Sequence, residues 1–376
     1  MNKYDYSLTA KDGIDTLEIH NVFVMEEKNI EQSTVSETDL NFELIQSERV
    51  EAMYWNTEQL IMGYELYRLN TPSGRIYFRF TQPDNKAPIF YGGATSVSKE
   101  IPQEENLIEW IANKGYGQAK RYYFMRSLFG SFEHSRIAEL AIMGVINLDE
   151  IPERLALYFH QNNFYLTDKE RRDMSLECQK DLISVQAWRN DTQAVFLAIE
   201  LPVFSDHDGI ATQIDMVCEC RDGKENNPYI ALINYKSGKS GFREEHRFQL
   251  LTEKNLFLEC FPQFAQTDVR SYNLAASNWR KTNWKKEEGK RGRVAKPYSF
   301  SEQTPNLSLD RYNAYMELAR ITRENKLSKS ITTISGEMKL GDNPEQFIHR
   351  SNIKEIVESG QWKKYTMSGK IVPETM

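Results

Sequence analysis

Cysteine is scarce in this sequence, and its spacing argues against a cysteine metal site. The four cysteines, Cys178, Cys218, Cys220 and Cys260, form no CxxC pair. Cys218 and Cys220 share one side of a predicted strand, a spacing more typical of core residues than of metal ligands. We therefore expect reduced thiols and a cytoplasmic location.

Long hydrophobic runs are also absent. No apolar run approaches the ~20 residues that cross a bilayer. Residues 1–20 lack the apolar core followed by small residues that marks a signal peptide. We expect no membrane partner, and no internal repeat or low-complexity tract is found. The 376 residues, 40% hydrophobic and 27% charged, are typical of a globular protein with one large domain plus additions, or with two domains.

Charge is unevenly distributed along the chain. The net charge of −7 argues weakly against a nucleic-acid partner, and residues 1–60 hold 13 acidic and 4 basic residues. Residues 270–296, the basic strip, instead hold 9 basic and 2 acidic residues together with Trp279 and Trp284. Because cations neutralise phosphates and indole rings stack on bases, the strip is a candidate nucleic-acid contact. A solvated loop whose tryptophans pack on the domain explains it equally well.

Hydrophobic periodicity predicts an α/β fold with a central mixed sheet flanked by helices. Strands are predicted at 74–82, 193–205, 209–220 and 228–238, and helices at 104–128 (interrupted at 115–117), 130–144, 244–261 and 310–325. The chain is divided into an N-terminal accessory region (1–95), a core (96–270), a basic loop or linker (271–305) and a C-terminal helical extension (306–376).

Polar residues interrupt two of the predicted strands. Asp215 lies among apolar residues, where a buried carboxylate needs a partner, a hydrogen bond or a metal. Asn234 and Lys236 share one face of the next strand, because side chains alternate. Neighbouring strands lie ~4.8 Å apart, so Asp215 and position 234 can reach a common ion. His134 and Gln249, each on a predicted helix, are ordinary helical residues when taken alone.

Taken together, four segments resemble the PD-(D/E)XK nuclease superfamily: GSFEHSRIAE (130–139), IELPVFSDHDGIATQIDMV (199–217), ALINYKSGK (231–239) and HRFQLL (246–251). They are most similar to its RecB-like branch, which includes phage-encoded and CRISPR-associated exonucleases. That branch carries, in this order, a helical Gly-x-x-x-His, a strand from Gly to Asp, an Asp/Glu-x-Lys strand followed by Thr/Ser-Gly, and a helix with Gln. The resemblance covers roughly residues 90–260 and implies a restriction-endonuclease-like core.

This resemblance implies a site for Mg²⁺ or Mn²⁺. His134 and Asp215 would be metal ligands, position 234 would supply the second acidic ligand, and the carbonyl of Tyr235 would add a further oxygen. A divalent ion bound by oxygens can activate water and stabilise charge on a phosphate.

The resemblance also implies residues that act on the reaction and on DNA. Lys236 would orient or help to deprotonate the attacking water, where its charge stabilises the phosphate. Gln249 would support the site or touch DNA. Further DNA contacts are expected from four cations of the basic strip: Arg280, Lys281, Lys285 and Lys286.

The chain departs from the family pattern at Asn234, where Asp or Glu is usual. Ala138 stands where a Glu often follows the His by four residues, with Glu139 one position further, and Glu253 stands where a Tyr often follows the Gln. No cysteine spacing matches an iron–sulfur cluster, so none is expected. Asn234 marks either a deliberately inactivated nuclease or a natural pseudo-enzyme that keeps the fold for DNA binding or architecture. The retained Lys236 favours the first account.

The predicted function is a metal-dependent DNA nuclease, an exonuclease of phage or mobile-element recombination or genome processing. Its partners would be DNA and a phage recombination or packaging protein, in the host cytoplasm. The alternative is a catalytically inactive DNA-binding or virion-associated protein on the same fold. A purely structural interaction protein is the third possibility, favoured if the basic strip does not bind DNA.

Overall fold

A mixed β-sheet runs through the centre of the molecule. The structure, a computed structural model, describes residues 46–71, 74–81, 87–97, 105–221, 227–237, 244–276, 279, 296–302, 308–334, 337, 339–343 and 348–359. Their strands are β1 (Gln46–Val50), β2 (Tyr54–Trp55), β3 (Leu66–Thr71), β4 (Gly74–Arg79), β5 (Ile89–Gly93), β6 (Val195–Ser205), β7 (Ile210–Arg221), β8 (Pro228–Tyr235), β9 (Val269–Ala275), β10 (Ser299–Glu302), β11 (Ser330–Ile334) and β12 (Ile348–Asn352). Their helices are α1 (Ala94–Val97), α2 (Glu105–Lys114), α3 (Tyr116–Met143), α4 (Ile151–Gln161), α5 (Asp168–Thr192), α6 (Glu244–Cys260), α7 (Leu309–Ser328) and α8 (Ile353–Glu358).

The main sheet has the order β1-β3-β4-β5-β7-β8-β9-β10, with β6 also paired with β7 and β2 paired with β6. The pairs β5–β7 and β8–β9 are parallel and the others are antiparallel, so the predicted mixed sheet is confirmed. β5 meets β7 only at Ile210 and Ala211, whereas β8 pairs with β7 from Met216 to Arg221. Asp215 lies between these two pairings.

Helices cover both faces of the central strands. One apolar cluster joins α3, α4 and α5 to the sheet and includes Trp188 and Ile233. A second cluster joins α6 and α7 to the sheet and includes Leu232 and Phe257. Adjacent residues of β8 thus point into different clusters, as expected of a strand buried on both faces.

Glycines and caps set the helix boundaries on one side of the sheet. Gly115, with φ 82°, separates α2 from α3, and Gly144 ends α3 in the left-handed conformation at φ 70°. The interruption predicted at 115–117 therefore exists. α3 then runs unbroken through the two segments that were predicted as separate helices. α5 begins at Thr167, which forms a reciprocal capping box with Glu170.

The main sheet extends beyond the predicted core region. Residues 46–93 supply β1 to β5, β10 lies within the predicted linker, and α7 lies in the predicted C-terminal extension. Arg323 connects α7 to the main sheet: its Nη1 donates to the carbonyls of Phe90 (3.4 Å) and Gly209 (3.2 Å). A Cβ at Gly209 would lie 1.8 Å from that nitrogen, so glycine is required for this contact.

All four cysteines are free thiols, and three of them are buried. Within the described ranges, no helix combines the length and the apolar character needed to cross a membrane.

Candidate metal centre

α3 brings His134 to the end of β8. A Cβ at Gly130, one turn earlier, would lie 3.3 Å from Oγ of Ser237, so the absence of a side chain lets the helix approach the strand closely. The imidazole of His134 packs edge-on against the ring of Tyr235, with centroids 5.2 Å apart. Its Nδ1 lies 3.8 Å from Oδ2 of Asp215 on β7.

At one level of the sheet, the inward-packing side chains of β6 and β7 switch from one face of the sheet to the other. The pair Ile199–Met216 belongs to the cluster with α3, whereas the pair Leu201–Ile214 belongs to the cluster with α6. Regular alternation would place both pairs on one face. Glu200, between them, has a left-handed backbone with φ 53°, which costs about 1–2 kcal/mol for a residue with a side chain. Such strain concentrates at functional sites.

Glu200 lies beside His134 and Asp215. Each of the three offers one ligand atom, and these atoms lie within 4.8 Å of one another. Two ligands of one ion are about 3–3.5 Å apart when adjacent and about 4–5 Å apart when opposite, at the bond lengths of Mg²⁺ and Ca²⁺ sites. The three side chains line a cavity of about 10 Å³, room for about one water molecule or one ion. The residues therefore fit a single divalent cation.

The electrostatics of the centre also suit a cation. Burial, together with the charge of Asp215, raises the pKa of Glu200 to about 8. A bound cation would favour the ionised form, because metal binding requires deprotonated ligands.

Tyr235 connects the strand to this centre through three contacts. Its backbone N–H donates to Oδ2 of Asp215 at 2.7 Å, which orients that carboxylate. Its hydroxyl donates to Oε1 of the buried Glu133 at 2.9 Å. Tyr235 thus holds two of the candidate ligands in place, Asp215 through its backbone N–H and His134 through its ring.

The other polar residues of β8 and α6 form a hydrogen-bonded chain. Lys236 Nζ donates to Oε1 of Gln249 (3.2 Å), and Gln249 Nε2 donates to Oε1 of Glu253 (2.8 Å). Asn234 Nδ2 donates to the same oxygen of Glu253 at 3.0 Å. Burial and the charge of Asp215 raise the pKa of Glu253 to about 8. Burial lowers the pKa of Lys236, against the opposite effect of the nearby carboxylates.

These contacts locate the residues singled out in the sequence. His134 and Asp215 lie in one group, while the side chain of Asn234 bonds to Glu253. Glu200 was not predicted. It could have been found by the signal that marked Asp215, a lone carboxylate within an apolar strand, here AVFLAIELPVF. The four strip cations expected to contact DNA, Arg280, Lys281, Lys285 and Lys286, lie outside the described residues.

One tryptophan of the basic strip is described. The indole N–H of Trp279 donates to the buried carboxylate of Asp181 at 2.5 Å, and Lys180 Nζ lies 4.6 Å from the ring centroid. Trp279 therefore packs against α5, as expected if the tryptophans of the strip pack on the domain.

No model of a known protein family matches this chain, and no curated protein sequence matches it either.

Proposed function

We propose that the protein is a divalent-metal-dependent DNA nuclease with a restriction-endonuclease-like core. The observation that carries the proposal is the grouping of His134, Glu200 and Asp215 at the end of β8, the strand that Lys236 directly follows. The mixed sheet with helices on both faces and the order of the sequence motifs support it. The RecB-like resemblance suggests the setting, an exonuclease in phage or mobile-element recombination or genome processing.

Each residue of the site has a task in phosphodiester hydrolysis. Mg²⁺ or Mn²⁺ held by the three ligands would supply Lewis-acid stabilisation of the phosphate and acidify a water molecule. Lys236 provides positive charge where the attacked phosphate gains negative charge. Gln249 fixes this ammonium group by accepting its hydrogen bond, and Tyr235 fixes the carboxylate of Asp215.

The contacts of Asn234 favour a native asparagine over an inactivating change. An Asp at 234 would replace the amide that now donates to Oε1 of Glu253 at 3.0 Å by a second carboxyl group in the same buried place. Like charges in a buried site are unfavourable. Glu200 already supplies a carboxylate beside Asp215, so the centre does not depend on charge at 234. We therefore propose that the chain is active as it stands.

Cleavage of linear duplex DNA in Mn²⁺, Mg²⁺ and EDTA tests the proposal. The unchanged chain should cleave only with metal, and Asp215→Asn should abolish cleavage. Lys236→Ala should abolish cleavage while keeping DNA binding, because the lysine acts on the reaction more than on the complex. Glu219→Gln, at the far end of β7, is the matched control.

One result would favour the catalytically inactive DNA-binding protein instead, the alternative supported by an amide at position 234. Both the unchanged chain and Asn234→Asp would bind DNA normally, and neither would cleave it with either metal.

A further inference from the structure

Exposed aromatic rings lie on one side of α3, on a line that leads to the candidate metal centre. With 3.6 residues per turn, a sector of about 60° around this helix contains the α3 stripe: Tyr116, Tyr123, Ser127, Gly130 and His134. Tyr116 is 74% exposed and Tyr123 is 43% exposed. The opposite side of α3 is buried, as at Met125 and Phe132. The stripe is therefore an open surface that ends at a candidate metal ligand.

The stripe has the length of a short DNA strand. Tyr123 lies 11 residues before His134, and Tyr116 lies 18 residues before it. At 1.5 Å per residue these separations are about 17 and 27 Å, or about five and eight nucleotides at the ~3.4 Å spacing of stacked bases. The residues between, Ser127, Gly130 and Ser131, have small side chains or none, which leaves room for a polymer along the helix.

α2 holds the ring of Tyr123 from one side. Trp110 meets Tyr123 edge-on, with ring centroids 5.6 Å apart, and its centroid lies 5.5 Å from that of Tyr122. Nζ of Lys114 lies 4.7 Å from the centroid of Tyr122 and 5.1 Å from that of Trp110. These contacts restrict the rings before a ligand arrives, so stacking a base on them costs little conformational freedom.

Positive charge accompanies these rings. Residues 110–124 hold three cations and no acidic residue. Arg121 pairs with Glu170 at 2.7 Å, which leaves Lys114 and Lys120 without a carboxylate partner in the part of the chain that the structure describes. Cations that neutralise phosphates, beside rings that stack on bases, are the features of surfaces that bind unpaired nucleic acid. An apolar protein surface would cover the rings but leave the lysines unpaired.

We propose that the α3 stripe binds an unpaired strand of DNA, with bases stacked on Tyr116 and Tyr123 and phosphates beside Lys120. The inference rests on the proposed function and adds to it the form of the substrate near the metal centre. A paired base turns its faces to its neighbours in the duplex, so only an unpaired strand can offer faces to both tyrosines. Every base has such a face, so binding should not depend on the sequence of the strand.

Binding of an oligodeoxythymidylate tests this inference without reference to cleavage. The probe is a fluorescein-labelled strand of about 12 nucleotides, long enough to cover the ~27 Å of the stripe, titrated with the full chain in EDTA and followed by anisotropy. The double variant Tyr116→Ala/Tyr123→Ala should bind it about 30-fold more weakly, the loss expected for two stacked bases at the lower end of the usual range. Tyr116→Phe/Tyr123→Phe keeps both rings and is the matched control, so it should bind as the unchanged chain does.

A second probe separates stacking from contacts with the DNA backbone. An abasic strand of the same length keeps the phosphates and lacks the bases, so the unchanged chain should bind it at least about 30-fold more weakly than the oligodeoxythymidylate. This arm requires no variant, and it decides the question if circular dichroism shows that the double alanine variant does not fold.

The possible results separate this inference from the proposed function. Equal affinity of the unchanged chain and the folded double alanine variant for the oligodeoxythymidylate would overturn the stripe, and equal affinity for the abasic strand would overturn the stacking. A dimer that the double alanine variant dissociates, with no change in oligonucleotide affinity, would identify a second copy of the chain as the occupant instead. Metal-dependent cleavage of duplex DNA would leave the proposed function standing in each case. A chain that binds neither the oligonucleotide nor duplex DNA would remove both.

Discussion

Replacing Glu200 by Gln should remove most of the stabilisation that Mn²⁺ gives to the protein. The change keeps the shape of the side chain but takes one of three candidate ligands from the centre. Groups that merely orient metal ligands already contribute 10–100-fold in affinity. Loss of a ligand should therefore weaken binding by at least about 100-fold, or roughly 2.7 kcal/mol.

This loss is measurable as a change in melting temperature. A bound ligand stabilises the folded state in proportion to the logarithm of its concentration over its dissociation constant. At saturating Mn²⁺, the variant should thus lose about 2.7 kcal/mol of metal-dependent stabilisation. For a protein of this size, about 2 °C per kcal/mol, the Mn²⁺-induced rise in Tm should shrink by about 5 °C.

The assay compares Tm in EDTA and in Mn²⁺ for the unchanged chain, Glu200→Gln and the control Glu219→Gln. The control should retain the full rise. A Glu200→Gln protein with the same Mn²⁺-induced rise as the unchanged chain would refute the assignment of Glu200 as a ligand.

Two further predictions rest on the same geometry, and a third concerns the basic strip. Tyr235→Phe removes the hydroxyl bonded to Glu133 but keeps the ring against His134. Urea unfolding should therefore show a loss of about 1.5–3 kcal/mol in the free energy of unfolding, while the Mn²⁺-induced rise in Tm is retained. A loss under about 0.5 kcal/mol would contradict the hydrogen bond. In EDTA, Glu200 and Glu253, with pKa values of about 8 in the fold against about 4.3 unfolded, hold protons that the unfolded chain releases. The stability that these two groups contribute should be full below pH ~4 and fall as pH rises to ~8, whereas saturating Mn²⁺ should offset the fall. Equal Tm values in EDTA at pH 5.5 and 8 would be the contrary result. Replacing the four strip cations by Ala should weaken DNA binding. The slope of log affinity against log salt concentration should become shallower by up to ~0.9 for each phosphate that is no longer neutralised. Unchanged affinity and slope would identify a solvated loop.

The central strands were predictable because their apolar runs are long and bounded by turns. β6, β7, β8 and the helix after them lie where periodicity placed them. The prediction that a new helix begins at Gly130 was wrong. Glycine lies inside α3 there because it allows close packing against Ser237. α5 was not predicted, although Thr167 and Glu170 have the spacing of a capping box.

The site was predictable only where one residue carried its own signal. Asp215 in an apolar strand did so, and His134 gained significance from its spacing after Gly130. Glu200 carries the same signal as Asp215, but its place beside Asp215 depends on a left-handed backbone and a change of strand face, which alternation patterns do not reveal. The hydrogen bond between Glu253 and Asn234 depends on how α6 packs against β8, because the two residues are 19 positions apart in sequence.

The close approach at Gly130 bears on ion selectivity. His134 lies one turn further along the same face of α3, so the gap between helix and strand sets how far its imidazole reaches. A methyl group at 130 would meet Ser237 Oγ at 3.3 Å and displace one of the two by a few tenths of an ångström. Mg²⁺ demands near-ideal octahedral geometry at 2.0–2.1 Å, whereas Ca²⁺ accepts longer and less regular contacts. We therefore expect the missing side chain at position 130 to favour a small ion at the proposed centre, and an alanine there to shift the preference toward a larger one.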